Sequence, residues 1–344
     1  SESERSLTDV IPEKLRFQNE ETKERLLTIN VFSYDFAGIG HIKTVFYIFD
    51  RFHICNEFGI SNEMLFKFVF ELWKTYNDVP YHNWTHACDV LQYTAYELHI
   101  GHLEKVFTSM EIFGLLVAAV CHDANHNGYT NIYNIKSETP LGILFKGQSV
   151  METHHVTVTI NILEKDETNL FYSFSKENVR KMWNLLIKLL LSTDMALHFS
   201  LVQNTSALLD KNEFSFENDD HRQIALNLLL KVADISNASR PFEIADKWCT
   251  ILQEEFFRQG DMEKANGLEL SSPMNDRENV DKPKSQIGFY NFICLPLYQV
   301  TARVFPNLQV NVDHVRENLK VWMSMVKKNE EQDRRLINHL YSHG

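Results

Sequence analysis

The stretch QSVMETHHVTVTINILEKDETNLFYSFSKENVRKMWNLLIKLLLSTDMALHFSLVQNTSALLDKNEFSFENDDHRQIALNLLLKVADISNASR, residues 148–240, contains neither glycine nor proline. Strands and their tight turns consume both residues, because glycine supplies positive φ and proline presets the first turn position. A sheet protein could hardly cross such an interval. The shortage extends to the whole chain, where 12 glycines and 8 prolines among 344 residues make up about 6%, against a usual level of about 12%. The expected fold class is all-α, a compact multi-helix bundle.

Hydrophobic residues at 44% and charged residues at 23% fit a globular chain with a sizeable core and rule out disorder as the overall class. Asp and Glu (46) exceed Lys and Arg (34), for a net charge of −12. Nucleic acid and anionic membrane surfaces are therefore poor partners for such a chain, and no nucleic acid is expected, since both are bound through clustered positive charge. An anionic substrate is not excluded, because a bound metal reverses the field locally. The cysteines Cys55, Cys88, Cys121, Cys249 and Cys294 are odd in number and never spaced CxxC. Reduced thiols in a cytoplasmic protein are expected, and a zinc–thiolate site is not.

The opening SESERSLTDV is polar, unlike a signal peptide. The longest clean apolar run, Ile112 to Cys121, is about half a membrane span, so no transmembrane segment is expected. Residues 1–14 read as a polar lead-in or linker and 15–344 as a single helical domain. Within it, Gly267 to Ser285, with SSPMNDRENVDKPKS, reads as an exposed, flexible connection. No repeat, glycine-rich phosphate loop, GxSxG elbow or dinucleotide fingerprint appears.

Eight of the 15 histidines fall between His82 and His155. The first group is Tyr81-His82-Asn83-Trp84-Thr85-His86, just after Pro80. A helix starting there would put His82 and His86 on one face, a spacing suited to metal binding or to a ligand beside a proton donor. The second is His122-Asp123-Ala124-Asn125-His126-Asn127-Gly128, where an apolar run ends abruptly in adjacent His and Asp. Burying that step is costly unless it is paired or bound to metal. Helical neighbours diverge by about 100°, so both reach one metal only near a helix end, which Gly128 would supply. The third is Val232-Ala233-Asp234-Ile235-Ser236-Asn237, where the run Ile224–Ala233 delivers an aspartate. Glu152 and Asp194 close similar runs. Surface histidines, a histidine satisfied by its neighbour, or solvated helix ends would each explain one group. Four acids leaving apolar helices beside histidines fit a buried metal centre better. His86, His122, Asp123 and Asp234 form a two-histidine, two-carboxylate set suited to Zn²⁺, Mn²⁺ or Mg²⁺. A bridging carboxylate suits a metal pair, and such pairs hydrolyse phosphate esters.

Further along stand Glu254-Glu255-Phe256-Phe257-Arg258-Gln259-Gly260-Asp261, Ser272-Pro273-Met274 and Lys284-Ser285-Gln286-Ile287-Gly288-Phe289. Together with Tyr81–Val90, the HDxxHxG block at His122–Gly128 followed by Asn131, Glu152–His155, Thr193-Asp194-Met195 and Ala233–Asn237, they resemble the catalytic domain of class I cyclic nucleotide phosphodiesterases. The resemblance runs from about residue 35 to about residue 330. It implies a bundle of about sixteen helices, the HD-domain type of phosphodiesterase fold. It also implies hydrolysis of the 3′ ester of a cyclic nucleotide to the nucleoside 5′-monophosphate.

By the same resemblance, His86, His122, Asp123 and Asp234 hold a first metal, usually zinc. Asp123 shares a second, usually magnesium, with manganese as an alternative. His126, Glu152, His155 and Thr193 orient the waters around them. His82 matches the general acid that protonates O3′ as a hydroxide bridging the metals attacks phosphorus. The substrate side comprises Tyr81, Asn237, Leu252, Phe256, Gln286 and Phe289, with the purine between Phe289 and Leu252 and its edge read by Gln286. A free Gln286 amide serves adenine and guanine by flipping; a pinned one selects. Asn237 stands where cAMP-selective members carry Asn, which favours cAMP, with cGMP as a further substrate. Ala124 and the stretch Ala238–Phe242 depart from the commoner family wording without touching the ligand set. Regulatory domains are expected outside this chain. The rival readings are a catalytically silent cyclic-nucleotide sensor, which would have lost His82 or a ligand, and another HD-type phosphohydrolase, which would not explain Gln286, Phe289 or Asn237.

Overall fold

A computed structural model of the chain describes residues 12–343. Among the described residues there are sixteen α-helical segments, short 3-10 turns, one π-helical segment and no β-strand. The all-α expectation holds. Of the lead-in over 1–14, residues 1–11 lie outside the described residues, and Pro12–Leu15 forms a 3-10 turn.

Scarce glycine has a local consequence. Left-handed backbone positions that glycine usually occupies are taken here by His53, His102, Asn125, Glu138, Lys146, Ser149 and Asn212. Two of them, Ser149 (φ 44°) and Asn212 (φ 54°), turn the chain inside the glycine-free interval. Helix starts there rely on polar caps. Ser175 accepts from Asn178 N ahead of Lys176–Leu191, and Asn218 from His221 N ahead of Asp219–Asp234.

The chain divides into two compact units, one ending at Ser236 and one beginning at Asn237. The first is built round helix Trp84–Ile100, in which every residue from His86 to Leu98 is buried. Helices Ile39–Arg51, Ser109–Cys121 and Asp219–Asp234 pack on it. A helix covered on all sides must satisfy its polar side chains internally or keep them uncharged; the buried Glu97 carboxyl, which accepts from no described residue, has its pKa raised by burial. Asp89 accepts from Ser33 Oγ at 2.6 Å, and Gln92 donates to the carbonyls of Leu26 (2.9 Å) and Thr28 (2.8 Å). Helix Ser109–Cys121 is buried from Ile112 to its end. Being apolar all round, it runs through the core and delivers His122 and Asp123 inside it.

The second unit contains helix Phe242–Ala265, helix Lys282–Phe289 continuing through the π segment Tyr290–Cys294 into Leu295–Val304, and the long helix Gln309–His343. The segment Gly267–Ser285 is not the flexible connection expected. Glu263 is fully buried, and Ser271 N (3.1 Å) and Asn275 Nδ2 (3.1 Å) donate to its carboxylate. Arg277 ties the same segment to Glu254 (3.1 Å) and Asp261 (2.9 Å). A buried carboxylate requires donors, and here the connection supplies them, which holds it against the helix.

Gly260 lies inside that helix, where alanine would ordinarily stabilise by about 1 kcal/mol. A Cβ there would sit 1.9 Å from the backbone oxygen of Asn275. Gly260→Ala is therefore expected to lower stability by about 2 kcal/mol or more in urea unfolding. A gain in stability would show that the crossing of helix and connection is looser than described.

Candidate metal centre

Three helix termini supply the donors. Asn83 caps helix Trp84–Ile100, its side chain accepting from His86 N at 3.1 Å. His82 therefore precedes the helix instead of sharing a face with His86, as the spacing suggests; the cap sets the start. The two rings still lie 5.8 Å apart between centroids. The two Asn83 Nδ2 hydrogens are shared among Val79 O (3.0 Å), Pro80 O (3.2 Å) and Tyr34 Oη (3.0 Å), so one amide holds the whole His82 turn. Helix Ser109–Cys121 ends at Cys121, well before Gly128. Gly128 (φ 85°) turns the following loop instead and donates its N–H to His126 Nδ1 at 2.9 Å. Asp234 is the last residue of helix Asp219–Asp234.

His86, His122, Asp123 and Asp234 converge, with one donor atom of each within 4.8 Å of the others. His122 Nε2 lies 2.8 Å from Asp123 Oδ2 and 3.1 Å from Asp234 Oδ1. His86 Nε2 lies 3.1 Å from each of the same oxygens and 3.2 Å from His122 Nε2. Ligands about 2.0–2.1 Å from a zinc ion, set tetrahedrally, lie about 3.3–3.4 Å apart, close to these separations. His122 Nδ1 is 2.7 Å from Ala119 O. A carbonyl only accepts, so Nδ1 carries a hydrogen and Nε2 is the nitrogen turned toward the carboxylates, where it would take either a metal ion or a proton. Asp123 Oδ2, buried beside it, faces both imidazole nitrogens. The donor set fits a divalent metal.

The electrostatics agree. Burial opposes charge on His122, but the Asp123 and Asp234 carboxylates outweigh it and hold its pKa well above the ordinary value. Asp123 and Asp234 are held low: burial would raise them, but His122 prevails. This point in the interior calls for positive charge. Burial also pushes the His155 pKa down to about 4, and its Nδ1 meets Ala124 O at 2.6 Å.

Around the centre, His82 stacks on His126 (centroids 4.1 Å, 11° between planes), and His82, Asp123 and His126 form a second group of donors, with Asp123 common to both. Tyr81 packs its ring 4.5 Å from that of His86. Glu152 Oε1 accepts from Asn131 Nδ2 at 2.8 Å, and Thr193 Oγ1 donates to Leu190 O at 2.8 Å. Asp194 is not in the donor set. Its carboxylate caps the turn Met195–Leu197 and accepts from Ser149 Oγ at 2.6 Å. In the second unit, Leu252 and Phe256 lie on helix Phe242–Ala265, and Gln286 and Phe289 on Lys282–Phe289. None of the four is buried, as core packing would require. No hydrogen bond from another described residue fixes the Gln286 amide.

Sequence reasoning missed Lys231. One turn before Asp234, it is 3% exposed, and its Nζ donates to Ser192 O at 3.2 Å. Burial lowers its pKa against the pull of Asp234, Asp194 and Glu152. The signal was a single cation within Leu228-Leu229-Leu230-Lys231-Val232-Ala233.

The family profile described as 3'5'-cyclic nucleotide phosphodiesterase matches residues 81–315, from the ring beside His86 to well past Phe289. The chain belongs to the 3'5'-cyclic nucleotide phosphodiesterase family. Among its phosphodiesterase relatives are proteins named cGMP-specific 3',5'-cyclic phosphodiesterase. Those of Drosophila ananassae and Drosophila virilis are each 33% identical over 88% of this chain. The chain spans only 27% and 34% of their lengths. Among solved structures, the phosphodiesterase domain of the RhoPDE fusion protein from the choanoflagellate Salpingoeca rosetta superposes with a TM-score of 0.85 at 30% identity, covering 89% of this chain and 97% of that one. LmjPDEB1 in complex with IBMX gives 0.83 at 30% identity, covering 93% and 99%.

Asn83→Ala removes a cap of a kind worth about 1 kcal/mol, and a corresponding loss is expected in denaturant unfolding; no loss would mean that His86 N is satisfied otherwise. Burial raises the Glu152 pKa to about 7. The folded state thus holds this proton more tightly than the unfolded one, and ionisation costs stability as pH rises through the interval up to about 7. In chelated protein, Glu152→Gln should gain on wild type by about 1–3 kcal/mol between pH 5 and pH 8. Parallel stability profiles would contradict the raised pKa.

Proposed function

We propose that this chain hydrolyses the 3′ phosphoester bond of 3′,5′-cyclic nucleotides to nucleoside 5′-monophosphates, using divalent metal ions held by His86, His122, Asp123 and Asp234. The observation that carries the reading is the convergence of those four side chains within the family match. Zinc at this set, with magnesium or manganese sharing Asp123, is the reading favoured by nitrogen and oxygen donors without thiolate. When bound, such ions supply Lewis acidity to a phosphoryl oxygen and lower the pKa of water.

The chain's own residues do the rest. His82, half-buried on the turn that Asn83 holds, is the proposed general acid for the departing O3′. His126, Glu152, His155 and Thr193 order water around the centre. On the substrate side, Tyr81 belongs to the first unit, while Asn237, Leu252, Phe256, Gln286 and Phe289 form the base-recognition set. The one-domain reading of 15–344 belongs to this proposal and is supported by a family match that continues across residues of both units.

Asn237 favours cAMP. Two observations support activity on cGMP as well: the Gln286 amide is not fixed by another described residue, and the Drosophila relatives are named cGMP-specific. A cytoplasmic setting is supported by five unpaired cysteines, four of them buried. Among the described residues no single helix is long and apolar enough to cross a membrane.

Hydrolysis of cAMP and cGMP, assayed side by side with Mg²⁺ and after chelation, tests the proposal. Turnover of both, lost on chelation, is expected. No turnover of either by folded, metal-replete protein would overturn it and leave a nucleotide-binding protein. His82→Ala should keep its metal and lose about 10²–10⁴-fold in kcat, whereas Asp234→Ala should lose metal by elemental analysis. Wild-type kcat in the first, or full metal content in the second, would remove that residue from its role.

A further inference from the structure

Asn237 lies in the 3-10 turn Ser236–Ser239, and the residues after it are deeply buried: Ala238 (2% exposed), Ser239 (0%) and Arg240 (1%). Asn237 itself is half-exposed. Such a turn leaves carbonyl oxygens without helical partners. Here they are met from the long C-terminal helix. Asn318, 6% exposed on Gln309–His343, donates its Nδ2 to Ala238 O at 2.8 Å and to Arg240 O at 2.7 Å. Its amide nitrogen has two hydrogens, and both are used. The residue between the two carbonyls, Ser239, accepts at Oγ from Tyr298 Oη at 3.2 Å. Three consecutive residues are therefore gripped from two helices, and the next residue upstream is the accessible one.

We propose that Asn318 is a positioning residue for Asn237, and that the clamp it makes with Tyr298 sets how this chain discriminates between cyclic nucleotides. The inference rests on the reading that Asn237 contacts the nucleotide. The side chain at position 318 is closely prescribed by this role. An aspartate would turn lone pairs toward two carbonyls, a glutamine would overreach by one methylene, and a leucine of similar shape would leave both carbonyls buried without donors. A clamp that served stability alone would not need to end beside the accessible residue of the turn.

The test uses the full chain with its metals and four variants: Asn237→Ala, Asn318→Leu, their combination and Tyr298→Phe. For each, kcat and KM are measured with cAMP and with cGMP, together with thermal stability and metal content. Asn237→Ala is expected to change the cAMP-to-cGMP ratio of kcat/KM. Asn318→Leu should change it in the same direction by about fivefold, the size of one hydrogen bond. The change should lie mainly in KM, at wild-type metal content. The double variant should add nothing further. Tyr298→Phe, which removes one hydroxyl, should show a smaller change of the same sign and carries the test if Asn318→Leu does not fold. If Asn237→Ala changes the ratio while Asn318→Leu and Tyr298→Phe only lower the melting temperature, the clamp is structural and the inference fails alone. If Asn237→Ala leaves the ratio unchanged, the reading of Asn237 fails and takes the inference with it.

Discussion

Two imidazole nitrogens 3.2 Å apart, both facing the same two carboxylates, are not held together by their own attraction. Two imidazoles and two carboxylates crowd one point in a buried interior, and protein packing has to bring them there. It does so with helix termini. His86 stands in the first turn of one helix, His122 and Asp123 just past the end of another, and Asp234 at the last residue of a third. A buried helix offers its side chains sideways, one turn apart. A terminus frees the backbone to aim adjacent residues at the same place, as His122 and Asp123 do.

The polar surroundings follow from that arrangement. Asn83 anchors the turn ahead of His86 through its side-chain amide, and Asn77 Nδ2 holds the loop after Asp123 through His126 O at 2.9 Å. Asn125 takes a left-handed conformation (φ 58°) and its Nδ2 ties the same loop to Thr75 O at 3.0 Å. Short amides are suited to this work because they donate and accept over a short reach without adding charge. Charge is handled separately. A buried lysine, Lys231, sits one turn from Asp234 and answers the surplus of acids around it.

Much of this is legible in the sequence alone. The glycine- and proline-free interval from Gln148 to Arg240 announced helices, and the abrupt acids after apolar runs announced the donors. What stayed hidden depended on hydrogen bonds between residues distant in sequence. The period of four between His82 and His86 suggested a shared helix face, because nothing in the pattern reveals that Asn83 spends its side chain on His86 N. The segment Gly267–Ser285 reads as loose from its composition. Its order comes from a buried carboxylate at Glu263, and composition does not say which side of a helix that carboxylate faces. Asp194 resembles the other acids in its setting until Ser149 Oγ and Ala196 N are found on it.

The separation of the donors along the chain has a consequence for the first unit as a whole. His86 and Asp234 are 148 residues apart in sequence. An ion held by both would close a loop of that length, as a disulfide does, and would confine the unfolded chain by about 5 kcal/mol on the loop-entropy scale. That is comparable to the whole net stability of many domains. The same ion that serves chemistry would thus act as a reversible staple for the helices that hold it, and metal supply and folding would be two readings of one equilibrium.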